Sequence, residues 1–107
     1  MSAAVVRRWE ARVARADIAA WKETFEARVP PSMQGVEGFR AISVQAARQD
    51  DPCRMTVLTS WDSMDAIRHF AGDSPEKAVI PEFMMPFFRE HDAEATFHDE
   101  ILREGSK

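Results

Sequence analysis

An α+β fold is predicted by three observations on the sequence. Stretches of strand composition alternate with stretches of helical periodicity, and their order is strand, helix, strand, strand, helix, strand. The third is size: 107 residues, 45 % hydrophobic and 30 % charged, suit one domain with one core. We place that domain over 1–107, with its core at about 4–102 and a loose tail at 103–107.

The first strand is expected over residues 4–13, AVVRRWEARV, where no breaker interrupts Val5, Val6, Trp9 and Val13. Alternation sets Val5, Arg7, Trp9 and Ala11 on one face and Val6, Arg8, Glu10 and Arg12 on the other. Asp17 is a candidate N-cap. After it Ile18, Trp21, Phe25 and Val29 form one apolar helical stripe, with Lys22 and Glu26 as a surface pair. Pro30 and Pro31 are expected to end that helix. FRAISVQAA (39–47) and RMTVLTSW (54–61) have strand composition, and the polar turn RQDDP between them predicts an antiparallel pair.

Asp62 and Ser63 offer caps for a second helix carrying Met64, Ile67, Arg68 and Phe70, with Gly72 at the position after its end. Ser74-Pro75 is expected to restart a short helical turn, and PEFMMPFFREH (81–91) to be helical with a kink at Pro86. A last strand over roughly 93–102 completes the order. Two β-α-β units of this kind give a ferredoxin-like βαββαβ domain, a four-stranded antiparallel sheet with helices on one face. The bare face is half apolar, which in so small a domain predicts packing on a second copy, a homodimer.

Charge and composition exclude several functions. A formal charge of −4 argues against nucleic acid, which calls for a basic surface. Arg7, Arg8, Arg12 and Arg15 are interrupted by Glu10 and Asp17 and read as a solvated strand edge. Nothing resembles a signal peptide, and the apolar patch Phe83–Phe88 is too short to span a bilayer, so neither secretion nor a membrane is expected. The lone Cys53, in an acidic turn, reads as a loop residue of a cytoplasmic protein. No histidine spacing builds a metal site, and no glycine-rich phosphate loop or GxSxG motif occurs.

What remains is an aromatic and methionine-rich cluster. Trp9 and Trp61 on strands, with Phe70, Phe83, Met84, Phe87 and Phe88 from the helical side, compose either plain core or the walls of a pocket for a small apolar or aromatic ligand. His98 on the last strand is either a proton acceptor or donor, or a histidine bonded to a neighbouring carboxylate. His69 either touches the pocket or points to water, and His91 reads as a surface residue.

Trp61-Asp62-Ser63, then Ala66-Ile67, Phe70-Ala71-Gly72-Asp73, Ala78-Val79, Pro81 and His98 make a pattern that resembles the antibiotic biosynthesis monooxygenase family of dimeric α/β-barrel proteins. RRWEARV at 7–13 is similar to the opening strand of a bacterial branch that mostly lacks an assigned activity. The resemblance covers about 5–101 and implies a homodimer, no resident cofactor, and oxidation of anthrone-like or hydroquinone-like substrates. Trp61 matches a strand-end tryptophan that helps hold the substrate, and His98 is the residue we expect to take the proton or position the oxygen, so these two are the candidate catalytic residues. Within that reading the indole N–H groups of Trp9 and Trp61 would be donors to the ligand, and Arg8 or Arg40 would steady negative charge. Other members degrade heme with a histidine on the helix after this motif and an asparagine on strand one. This chain departs from that pattern: DSPEKAVIPEF after Gly72 holds no histidine, and the chain has no asparagine at all. The competing expectation is a non-catalytic ligand-binding or stress-response module on the same scaffold.

Overall fold

The structure is a computed structural model, which describes residues 4–78 and 80–105. Its elements are β1 (Val5–Val13), a 3-10 turn (Arg15–Asp17), α1 (Ile18–Met33), β2 (Phe39–Ala46), β3 (Cys53–Trp61), α2 (Met64–Ala71), a 3-10 segment (Glu82–Phe87), β4 (Phe88–His91) and β5 (Thr96–Asp99). The strand order is β2-β3-β1-β4, with β5 also on β1. β1 and β3 pair antiparallel without a break from Val5↔Trp61 to Val13↔Cys53. This is the ferredoxin-like arrangement, and both helices pack on the face carrying Trp9, Val13, Met55 and Trp61.

The sheet has five strands rather than the expected four. β4 covers Ala11–Val13 and β5 covers Val5–Arg8, so the two lie end to end along one side of β1. The stretch expected to be helical over 81–91 stays helical only as a 3-10 segment, to Phe87. Pro86 removes a hydrogen-bond donor there, and the chain beyond turns its backbone to β1. Between β4 and β5 the chain leaves the sheet: Ala78 N–H donates to Ala93 O at 3.0 Å and Ala95 N–H to Glu76 O at 2.5 Å. Ala95, 6 % exposed, packs on Trp9 and Ala11, and this burial draws the bend inward. The turn at Ser74-Pro75 does not become a helix; it closes through Lys77 N–H on Ser74 O, and the backbone of Lys77 pairs antiparallel with that of Glu94.

α1 runs through Pro30 and Pro31 to Met33 instead of stopping before them. Both prolines fall in the final turn, and Met33 is buried against Trp61 and Ile67, so tertiary packing holds an end that local preference would release. Asp17 makes no side-chain cap; the turn at Arg15–Asp17 feeds the helix directly. α2 follows the sequence closely, with Ser63 Oγ accepting from Ala66 N–H at 3.1 Å and Gly72 at φ +90° ending it.

Two further expectations change. β1 lies inside the sheet, between β3 and the β4–β5 edge, so the arginine-rich N-terminus is not a strand edge. Cys53 is not a loop residue: it begins β3, is fully buried, and its thiol donates to Ala47 O at 3.2 Å. Arg15 clamps the turn before it, donating to the carbonyls of Ala47, Gln49 and Asp50.

Candidate functional site

A cavity of about 220 Å³ lies between the helix-bearing side of the sheet, α1 and the segment 80–88. An apolar protein cavity of ~150 Å³ already takes up benzene, so this one has room for a small ring system. Its floor alternates along the strands as the pleat requires: Arg7 and Trp9 from β1, Ile42 from β2, Val57 and Thr59 from β3. α1 contributes Trp21, Phe25, Arg28, Val29 and Met33. The cover is Ile80, Pro81, Phe83, Met84 and Phe88, and Phe70 of α2 stands at the mouth. A separate groove of about 380 Å³ runs on the other side of Trp21 and Phe25, toward β2; it is open and bordered by Lys22 and Glu26.

Of the residues singled out in the sequence, Trp9, Phe70, Phe83, Met84 and Phe88 meet around this cavity. Phe87 packs instead on the core of Val13, Trp21 and Cys53. Trp61 is wholly buried one layer behind the wall, its ring 5.2 Å from that of Phe70 and 5.4 Å from that of Phe39. Neither indole expected to donate to a ligand is free to do so. Trp61 Nε1 donates to Thr59 Oγ1 at 2.9 Å, and Trp9 Nε1 to Asp92 O at 2.7 Å. Trp9 is held further by the edge of Phe88, at 5.4 Å and 78°.

His98 lies across the sheet from the cavity. It pairs with Val6, whose side chain points away from the helices, and its Nε2 shares a hydrogen bond with Thr96 Oγ1 at 2.8 Å. His69 is exposed on α2, and His91 is exposed at the end of β4 beside the Trp9 ring. Arg8 is bonded to Glu10, and Arg40 to Asp62 at 2.6 Å; neither lines the cavity.

Among the described residues the charged groups that do line it are Arg7, expected at a solvated strand edge, and Arg28, given no role from the sequence. Arg7 donates through Nε to Pro75 O at 3.2 Å and through Nη2 to Lys77 O at 2.8 Å. Burial lowers its guanidinium from the ordinary value by desolvating the charge. The Arg28 guanidinium stands 4.6 Å above the Phe83 ring, within cation–π range. The signals were present in the sequence: Arg7 shares the face of Trp9, and Arg28 falls seven residues after Trp21, on the same helical stripe.

Among the described residues no group of three or more histidine, cysteine, aspartate or glutamate side chains is placed to hold a metal ion. A heme needs an axial ligand such as imidazole, thiolate or phenolate. Among the described residues the walls present none of these, only the thioethers of Met33 and Met84, and a thioether serves beside an imidazole, so the residues here do not fit a heme.

A ferredoxin-like domain with a small aromatic-walled cavity between sheet and helices is the class these features define. The antibiotic biosynthesis monooxygenase family model matches residues 4–79, and the chain belongs to that family, whose general role is of the monooxygenase type. The fold is similar to that of the heme-degrader MhuD from Mycobacterium tuberculosis, with TM-score 0.70 and 16 % identity over 94 % of this chain and 99 % of that one. It is also similar to a protein from Bacillus cereus assigned to the antibiotic biosynthesis monooxygenases, with TM-score 0.65 and 15 % identity over 97 % and 99 %. A third, from Nitrosomonas europaea and assigned alike, gives TM-score 0.65 and 12 % identity over 98 % and 97 %. No curated protein sequence matches this chain. Among the described residues no helix is long and apolar enough to cross a membrane.

Proposed function

We propose that the chain is a cofactor-independent monooxygenase of small, electron-rich aromatic compounds, of the anthrone or hydroquinone kind, working as a homodimer. The cavity supports this reading: its walls are flat rings and thioethers, which suit a planar apolar guest. An ionised anthrone can itself pass an electron to dioxygen. Its methylene then becomes a carbonyl, one oxygen atom entering the product and the other leaving as water, so the oxidation consumes one dioxygen and nothing else. The protein's part is to hold the ring, exclude bulk water and steady the anion that reacts. His98 has no part in this reading, because the sheet separates it from the guest.

One observation favours a second reading, a ligand-binding module without chemistry. Among the described residues no carboxylate and no imidazole lines the cavity, so no side chain described there is available as a general base.

Oxygen uptake with an anthrone, corrected for autoxidation, tests both. Val57→Phe places a ring in the floor of the cavity and serves as the blocked control. Uptake above background that Val57→Phe abolishes is the expected result. Binding without uptake transfers the conclusion to the ligand-binding module.

A further inference from the structure

We propose that the natural guest of the cavity is a planar aromatic anion, a ring system bearing a carboxylate or an ionised phenol at one edge, which Arg7 receives with Arg28 as the second cation. The proposal rests on the reading above that the cavity binds a small aromatic, and it names the charge that guest must carry.

The charge balance of the walls is the starting point. Among the described residues two guanidinium groups, Arg7 and Arg28, reach the cavity, and no aspartate or glutamate does. The chain is acidic, with 18 carboxylate residues against 14 lysines and arginines, so counter-ions are in ample supply. Arg8 meets Glu10, Arg12 meets Glu90, Arg40 meets Asp62, Arg68 meets Asp65 and Arg103 meets Glu100, while Arg15, Arg48, Arg54 and Arg89 are in no ion pair among the described residues, so it is their place in the cavity wall that sets Arg7 and Arg28 apart. Among the described residues neither Arg7 nor Arg28 has an ion pair.

Arg7 carries the stronger part of the argument. A guanidinium has five N–H groups in a planar fork. Nε and Nη2 of Arg7 each hold one backbone carbonyl, of Pro75 and Lys77, and this fixes the plane of the fork beside Trp9. Carbonyl dipoles orient a cation without neutralising it, so a partly desolvated positive charge remains at the cavity floor. A guest anion neutralises it with a charge-assisted hydrogen bond to a fork that is already positioned. The absence of a base among the walls then has a consistent meaning: the guest arrives as the anion, or loses its proton to water as the guanidinium stabilises the charge.

The test is a matched pair of probes, β-naphthoate and its neutral counterpart β-naphthalenemethanol, titrated calorimetrically into the intact protein at neutral pH and low salt. The expected result is that naphthoate binds about tenfold or more tightly than the alcohol, as a hydrogen bond to a charged group implies. Arg7→Met should bring that ratio close to one while leaving the alcohol's affinity within about threefold, which shows that the cavity still forms. Arg28→Met should lower the ratio by a smaller factor, and it decides the matter if Arg7→Met does not fold. Equal binding of the two probes by the unmodified protein overturns the anion proposal and leaves the aromatic cavity standing. Binding of neither overturns both.

Discussion

Trp61 donates its indole N–H to the hydroxyl of Thr59, two residues back on the same face of β3, at 2.9 Å and out of reach of water. The pair links the core to the cavity, because Thr59 is a cavity wall while Trp61 is completely buried behind Phe70. Thr59→Val keeps the shape and removes the acceptor, leaving a buried donor unmet. We expect a loss of about 1–3 kcal/mol in urea unfolding, and a loss near zero would mean that the indole finds another partner.

Trp21 shows the opposite situation. Its ring is 2 % exposed and stacked on Phe25 at 4.7 Å, and its indole N–H has no partner among the described residues. Trp21→Phe removes that unmet donor together with some apolar area, two effects of opposite sign. The variant should therefore unfold within about 1 kcal/mol of the unmodified protein. Trp61→Phe, which gives up a satisfied bond and leaves a void, should lose clearly more.

Strands β1, β2, β3 and β5 and helix α2 were legible in the sequence because their signals are local. Alternation on β1 placed Arg7 and Trp9 together, and Ser63 and Gly72 bounded α2. Residues 88–91 were not legible, because their strand is decided by pairing with β1, more than seventy residues away, and the last strand, expected over roughly 93–102, is shorter, Thr96–Asp99. The face that His98 presents depends on the register of β5 against Val6, and a shift of one residue would have turned it over. Phe87 and Phe88 are equivalent in composition, yet only Phe88 lines the cavity. The roles assumed for the two indoles failed for a related reason: their acceptors, Asp92 O and Thr59 Oγ1, are set by tertiary geometry.

Gly38 and Gly35 separate two costs of replacing a glycine. Both have positive φ, +83° and +84°. A Cβ at Gly38 would collide with the Ala66 side chain on α2, whereas a Cβ at Gly35 meets open space. Gly35→Ala should cost about 1 kcal/mol from backbone strain alone. Gly38→Ala should cost more than this by at least as much again, and chemical denaturation of the two variants gives the difference directly.

The sheet face opposite the helices carries Val6, Leu58, Thr56 and Ser60 around the Arg8–Glu10 pair. We expect two copies to associate there. Leu58→Arg sets a charge at the centre of that face and should convert a dimer into a monomer in sedimentation velocity, with the helical circular dichroism unchanged. A monomeric unmodified protein would remove the basis for that association.

Cys53 gives the molecule a built-in clock. It holds the chain's one sulfhydryl, sealed at the start of β3 with no exposed surface and bonded to the Ala47 carbonyl. A thiol reagent can reach it only when β3 separates from its neighbours, so the labelling rate in native buffer measures how often the sheet opens. A guest that binds only the closed form slows that labelling in proportion to its occupancy. The chain can therefore report, without any attached probe, whether a candidate compound has entered.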